Sequence, residues 1–182
     1  MMNANRYESA PTFAAMLEGT TRNRDLWHSL WERARVPNWA LDAAAELGRP
    51  VKLLALSEDW CGDAVNSLPW IARLAEASPR IDLRVLSRDA NADLMDAHLT
   101  DGSSRSIPVV IAYDESFREL GWWGPRPAPL QEWVREEGLL LPGDERYRAV
   151  RRWYARDRGE TILCELFEVM SGAVPVACSS GA

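Results

Sequence analysis

Hydrophobic positions in the first part of the chain recur at the spacing of amphipathic helices. They predict helices over about 8–19, over about 22–34, and in a segment that ends at Gly48. Pro37 interrupts the second of these patterns, because proline is poorly tolerated inside a helix. The chain is therefore expected to begin with a helical segment.

A different pattern begins at residue 51, where short apolar or alternating runs are separated by helical ones. The apolar run VKLLAL predicts a buried strand, and the alternating run IDLRVL predicts a second strand. A third strand over 107–113 and a hairpin partner over 117–122 follow. Helical patterns over about 61–77 and 91–99 separate the strands. This alternation predicts an α/β fold with parallel strand pairs and an antiparallel edge.

The remaining residues favour helices. One helix opens near Pro127, since proline fits the first turn of a helix, and a single long helix is expected over roughly 144–171. The pattern leaves open whether this last helix packs on its own domain or on a second copy, and so the oligomeric state stays open. The sequence is accordingly divided into an N-terminal helical extension over 1–49, a core over 50–140, and a C-terminal helix with a frayed tail over 141–182.

Composition narrows the class of protein. The chain has 182 residues, 47% of them hydrophobic, which fits one globular domain. A net charge of −6 argues against binding to nucleic acid. No apolar run predicts a signal peptide or a membrane-spanning helix, so a cytoplasmic location away from membranes is expected. The sequence has no metal-ligand spacing, no GxGxxG and no P-loop pattern, and we expect neither a metal nor a cofactor.

Cys61 is the candidate nucleophile, since it stands where the VKLLAL strand gives way to a helix. A helix N-terminus offers unpaired N–H groups and the positive end of the helix dipole, and both favour a thiolate. The thiolate is the reactive form of cysteine. Cys164 lies in an apolar helical stripe and is expected in the core, whereas Cys178 could reach Cys61 only if the tail folded back.

The stretch SEDWCGD resembles the WCGxC motif of the thioredoxin family, and the similarity covers roughly 50–140. Pro69 matches the proline within the active-site helix of that family. Ile107-Pro108 matches its cis-proline, which faces the catalytic cysteine, and SRSIPVVI and WGPRP resemble a bacterial subfamily with a CGDC motif. The resemblance implies a thioredoxin-like three-layer sandwich, with the N-terminal helical extension and the C-terminal helix added, and thiol–disulfide redox chemistry.

Two positions depart from the family pattern. Ala64 stands where the resolving cysteine is expected, so a mixed disulfide at Cys61 would need an outside thiol to release it. Ala55 stands where the family usually carries a buried acid. The missing thiol makes the dithiol reaction doubtful, and the sequence does not tell whether Ala64 is natural or engineered.

Charges near the motif are expected to oppose a thiolate. Glu58, Asp59 and Asp63 crowd Cys61, which would raise its pKa and repel an acidic thiol such as glutathione. Arg105 is the expected compensating cation, if the loop before Pro108 lies opposite.

Two functions remain open at this stage. The first is a monothiol oxidoreductase with Cys61 as the catalytic residue and a protein or low-molecular-weight thiol or disulfide as partner. Its substrate-binding residues would be Trp60, Gly62, Asp63, Arg105, Ile107 and Pro108. The second is a non-catalytic protein-binding module that uses the same groove. His28 and His98 are expected to face solvent or a neighbouring helix, without a catalytic role.

Overall fold

The computed structural model describes residues 2–172, and within that range the chain forms one four-stranded sheet and nine α-helices. In chain order the elements are α1 (Ala4–Ser9), α2 (Phe13–Glu18), α3 (Arg24–Arg33), α4 (Asn38–Glu46), β1 (Val51–Ser57), α5 (Gly62–Ala77), β2 (Ile81–Ser87), α6 (Ala92–Ala97), β3 (Val109–Tyr113), β4 (Glu119–Trp123), α7 (Ala128–Glu136), a 3₁₀ turn (Gly138–Leu140), α8 (Gly143–Asp157) and α9 (Glu160–Ser171).

The sheet has the strand order β2-β1-β3-β4. β1 pairs with β2 in parallel and with β3 antiparallel, and β4 pairs antiparallel with β3. Both the parallel pair and the antiparallel hairpin were predicted from the order of the sequence patterns. β1 is buried along nearly all of its length because it lies inside the sheet, whereas β2 alternates between buried and more exposed positions because it is an edge strand.

The N-terminal helices pack directly on the sheet. The Tyr7 hydroxyl donates hydrogen bonds to the carbonyls of Leu53 (3.1 Å) and Asp82 (2.9 Å), which ties α1 to β1 and β2. The side chain of Trp27 on α3 is fully buried in the main core. The helix expected over 8–19 is two short helices, α1 and α2, since Pro11 falls between them.

The single long helix expected over 144–171 is wrong, because the chain forms α8 and α9 instead. The two helices are separated by Arg158 and Gly159, which both have positive φ (51° and 85°). A Cβ at Gly159 would lie 2.5 Å from the ring of Trp70, so the close approach to α5 requires glycine there. α9 buries Ile162, Leu166 and other apolar residues in the main core, and α8 and α9 therefore pack on their own domain.

The architecture confirms the predicted α/β fold class, with a sheet flanked by helices on both faces. α5 packs against β2, and α9 packs against β3 and β4. On the other face, Lys52 of β1 lies over the Tyr7 ring (5.2 Å to its centroid), and Arg6 of α1 pairs with Asp93 of α6 (2.7 Å). None of the helices within residues 2–172 is long and apolar enough to cross a membrane.

Candidate functional site

Cys61 is the N-cap residue of α5, at the end of the turn that follows β1. The Cys61 sulfur accepts a hydrogen bond from the Ala64 N–H (3.5 Å) and donates one to the Ile107 carbonyl oxygen (3.3 Å). The thiol is free, and the residue is only 7% exposed. The sequence therefore placed this cysteine correctly at the helix start, and the tertiary structure adds a carbonyl acceptor from a distant loop.

Burial is the largest influence on the Cys61 thiol and raises its pKa above the usual value, because a buried thiolate loses its hydration. The nearby charge of Asp63 raises the pKa as well. The N–H groups of Ala64 and Asp63 and the charge of Arg126 act in the opposite direction. The net direction is upward, so the helix N-terminus does not by itself produce an activated thiolate here.

Ile107-Pro108 is a cis peptide bond, as the family resemblance implied. A second cis bond, Gly124-Pro125, lies in the loop after β4 and was not predicted. The two loops touch closely: a Cβ at Gly124 would lie 2.1 Å from the Pro108 carbonyl oxygen. The backbone that faces the Cys61 sulfur is therefore held in place by the loop that follows β4.

The Asp63 carboxylate belongs to a largely buried cluster. It pairs with the Arg126 guanidinium (2.6 Å) and accepts a hydrogen bond from the Tyr154 hydroxyl of α8 (3.1 Å). Burial raises the pKa of Asp63, and Arg126 and Tyr154 partly offset this shift by stabilising the carboxylate. Sequence analysis missed both partners, although Arg126 lies within the WGPRP stretch that carried part of the resemblance.

Arg105 does not compensate these acids, and that expectation is wrong. Its side chain is more than half exposed and forms a bidentate pair with Asp96 on α6, at 2.6 and 2.7 Å. It lies two residues before Ile107, but its charge is directed to α6. The cation beside the thiol is Arg126, which comes from the loop after β4.

Two of the three acids expected to crowd Cys61, Asp59 and Glu58, are hydrogen-bonded to other parts of the protein instead. The Asp59 carboxylate accepts hydrogen bonds from the backbone N–H groups of Thr21 and Arg22 (both 2.8 Å), at the start of α3. These bonds hold the pKa of Asp59 below its usual value, against the effect of burial. Glu58 accepts from the Ser87 hydroxyl (2.7 Å). Of the three acids, only Asp63 acts on the pKa of the thiol, and it is paired with Arg126.

The other predicted substrate-binding residues lie around the thiol with different accessibilities. Trp60 is 44% exposed, and the Arg88 guanidinium lies over its ring, 5.1 Å from the centroid. Gly62 follows Cys61 and lies against the Tyr147 ring of α8. Ile107 and Pro108 are both buried, so the edge that carries the cis-proline is largely covered.

The two positions that depart from the family motif are apolar and fully buried. Ala64 lies in the first turn of α5, with its N–H directed at the Cys61 sulfur, and has no thiol to offer. Ala55 lies on β1 opposite Val110 of β3. Cys164 is buried on α9, as expected. Cys178 falls outside the described residues.

The histidines take no part in the site. His98 is buried against β4, where its ring nitrogens lie 2.6 Å from the Leu94 carbonyl and 3.1 Å from the Glu119 carboxylate. The expectation that it faces solvent or a helix is therefore wrong, because its contact with Glu119 of β4 joins residues that are distant in sequence and leaves no local pattern. His28 lies on α3, as its helical pattern predicted. Residues 2–172 bring together no group of three or more His, Cys, Asp or Glu side chains that could hold a metal ion.

Solved structures with the same fold are known. One is a crystal structure of a protein of unknown function from Pseudomonas aeruginosa, with a TM-score of 0.76 and 20% sequence identity. Another is an HIV epitope scaffold, with a TM-score of 0.73 and 21% identity. Each match covers 96% of this chain and 100% of the other chain. At these identities the likeness shows the fold alone.

No curated protein is significantly similar to this chain. A family model described as Thioredoxin matches residues 10–139, which is most of the chain and includes helices before the predicted core. The match agrees with the strand-to-helix cysteine, the proline within α5 and the cis-proline opposite the sulfur. The chain belongs to the thioredoxin family.

Proposed function

We propose that this protein carries out thiol–disulfide exchange through the single sulfur of Cys61. The observation that carries the proposal is the position of that sulfur, 3.3 Å from the Ile107 carbonyl beside cis-Pro108 and at the N-terminus of α5. This arrangement brings a free thiol to a helix N-terminus, where backbone N–H groups stabilise a thiolate.

The exchange has two steps. The Cys61 thiolate attacks one sulfur of a disulfide, which forms a Cys61 mixed disulfide and releases the other sulfur as a thiolate that takes up a proton. A second, external thiolate then attacks the mixed disulfide, forms a new disulfide with the bound group and releases Cys61. The external thiol is required because Ala64 supplies no sulfur in the first turn of α5.

The raised pKa of Cys61 shapes the kinetics of both steps. The thiolate is scarce at neutral pH, so attack on a disulfide is slow there. A sulfur with a high pKa is also a poor leaving group, and the mixed disulfide at Cys61 is therefore slow to be displaced. We infer a protein that holds a captured thiol for a long time rather than one that turns over rapidly.

A neutral disulfide tests the proposal directly. Incubation with bis(2-hydroxyethyl) disulfide should add one mercaptoethanol group at Cys61, detected by intact mass and located by peptide mass spectrometry. The rate should rise as the pH increases, since the thiolate is the attacking form. Cys61→Ser is the matched control and should abolish that adduct while leaving the fold unchanged.

A non-catalytic binding module is the second candidate, favoured by the 7% exposure of Cys61 and its raised pKa. This reading predicts no adduct at Cys61 in the folded protein, even when the pH exceeds the pKa of the thiol. Such a result would overturn the exchange proposal. A Cys61 adduct that forms in the folded wild type and is absent from Cys61→Ser would exclude a purely structural role for this residue.

The cellular location and the partner of this exchange are also proposals. Exchange at a single reduced thiol fits the cytoplasm, where thiols are kept reduced. The partner is a protein or a low-molecular-weight thiol or disulfide. Ile107 and Cys61 are both less than a tenth exposed, and this favours a small partner over an extended peptide.

A further inference from the structure

A cavity of about 190 Å³ opens beside the active-site turn, between the start of α5, the loop after β4, and α7 and α8. Gly62 and Asp63, the two residues that follow Cys61, form one wall. Residues of α8 form the opposite wall. Cys61 itself does not line the cavity, which begins at the two residues that follow it and is completed by α8.

The charge of this cavity is positive. Arg126, Arg146 and Arg151 line it, and Asp63 is the single acidic residue in the lining. Asp63 is neutralised by its pair with Arg126. Neither Arg146 nor Arg151 forms a salt bridge among residues 2–172, where Arg148 is the one arginine of α8 that does, with Asp144. Two cationic side chains are thus left to face the cavity.

Arg126 contributes a further unused donor. Its two terminal nitrogens are engaged with Asp63 (2.6 Å) and the Gln131 side chain (3.0 Å). Its Nε is buried and has no acceptor within the described part of the chain. A buried donor without an acceptor is costly, and at a cavity wall it points to an acceptor supplied by a ligand.

The arginines of α8 divide between two faces of the helix. Arg146 and Arg151 lie on the face that also carries Tyr147 and Val150, both of which line the cavity. Arg152 and Arg156 lie on the opposite face. The cavity thus combines a cationic rim with an apolar surface from Tyr147, Val150 and Val134.

We infer that this cavity binds the carboxylate end of a small acidic thiol or disulfide, the partner that exchanges with Cys61. The inference rests on the proposed function for the exchange itself, whereas the binding depends only on the arginines. A guanidinium group binds a carboxylate through paired, charge-assisted hydrogen bonds. The volume suits one acidic residue, and exchange requires the thiol end of the bound molecule to extend past Gly62 to Cys61. The inference is opposite to the expectation from the sequence that acidic thiols such as glutathione would be repelled.

S-methylglutathione is a suitable probe, because it carries two carboxylates and one ammonium group but cannot form a disulfide. Binding to the full chain can be followed by NMR chemical-shift changes or calorimetry. The double variant R146Q/R151Q should weaken binding by roughly tenfold or more, since each change removes a charge-assisted contact. R152Q/R156Q removes the same charge from the opposite face of α8 and should bind like the wild type.

Three outcomes would overturn the inference. They are no binding of S-methylglutathione to the wild type at millimolar concentration, equal weakening by the two double variants, and equal binding of the diethyl ester, which lacks both negative charges. Added salt should weaken binding of the acid form, because ionic contacts are screened.

The binding experiment with S-methylglutathione and the test of the exchange proposal can fail independently of each other. Cys61→Ser should keep its affinity for S-methylglutathione, since the probe uses no thiol chemistry. Bis(2-hydroxyethyl) disulfide is neutral, so its reaction with Cys61 does not depend on a carboxylate contact, and R152Q/R156Q should react with it as the wild type does. Failure of the acidic probe therefore leaves the exchange chemistry intact, and failure of the neutral disulfide leaves the cavity intact.

Discussion

The Arg126 guanidinium lies 2.6 Å from the Asp63 carboxylate, and this pair joins the loop after β4 to the first turn of α5. Both charges act on the Cys61 thiol, but in opposite directions: Asp63 raises its pKa and Arg126 lowers it. The pair therefore modulates how much thiolate the site holds, in addition to the larger effect of burial. It also connects the thiol to α8, since Tyr154 donates a hydrogen bond to the same carboxylate.

Changing either member of this pair should shift the reactivity of Cys61. Asp63→Asn removes a negative charge and should move the pH midpoint of Cys61 alkylation downward, because the thiolate is then less opposed. Arg126→Gln should move it upward, since the cation that favours the thiolate is lost. Peptide mass spectrometry after alkylation over a range of pH measures the midpoint in each variant.

Arg105→Gln is the control for that experiment. Arg105 pairs with Asp96 and is absent from the influences on the thiol, so the Cys61 midpoint should stay at the wild-type value. A shift as large as that of Arg126→Gln would restore the original expectation about Arg105.

Each change in the Asp63 pair should also lower stability by about 2 kcal/mol, because it leaves a partly buried charge without its partner.

Ala64→Cys should convert the single-thiol site into a dithiol site. The new thiol lies in the first turn of α5, whose N–H already contacts the Cys61 sulfur, so it can resolve a mixed disulfide formed there. We expect catalysed reduction of insulin with dithiothreitol where the wild type has little. Because Ala64 is fully buried, the added sulfur should cost about 1–2 kcal/mol of stability.

Ala64→Ser is the matched control for Ala64→Cys, because serine is similar in size to cysteine but has no thiol. It should fold comparably to Ala64→Cys and show no gain in insulin reduction. A folded Ala64→Cys protein without reductase activity would count heavily against thiol–disulfide exchange at this site.

Gly124→Ala should disturb the contact between the two proline loops. A Cβ there would lie 2.1 Å from the Pro108 carbonyl oxygen, and the φ of +127° disfavours any side chain. We expect a loss of about 2–4 kcal/mol in the free energy of unfolding, measured by denaturant titration. Gly48→Ala is the control, since nothing lies within 4 Å of its Cβ position and stability should hardly change.

Gly159→Ala should strain the break between α8 and α9. Its φ is +85°, and a Cβ would lie 2.5 Å from the Trp70 ring. A loss of about 1–3 kcal/mol is expected by thermal or denaturant unfolding, together with a change in tryptophan fluorescence. Gly143→Ala, at the first residue of α8 with no close neighbour, should be neutral or slightly stabilising. Equal effects of the two substitutions would show that the Trp70 contact has no special importance.

Local patterns in the sequence determined much of the fold. The sheet was predicted from the apolar run of β1, the alternation of β2 and the turn of the β3–β4 hairpin. Buried strand positions are occupied by apolar residues, so the burial of a strand is visible in its local sequence. The position of Cys61 at the start of α5 followed from the same patterns. The break at Gly159 was missed, since a single glycine in a helical pattern does not reveal that an indole ring lies against it.

The sequence by itself therefore determined the strands, the helix that begins after Cys61, and the absence of a second thiol at Ala64. Only the tertiary structure decided the charge around the sulfur. It directed Asp59 to the backbone just before α3 and Arg105 to Asp96, and it brought Arg126 to Asp63. The physical reason is that periodicity and capping act between residues close in the chain, whereas ion pairs and burial join residues that are distant in sequence and leave no local pattern.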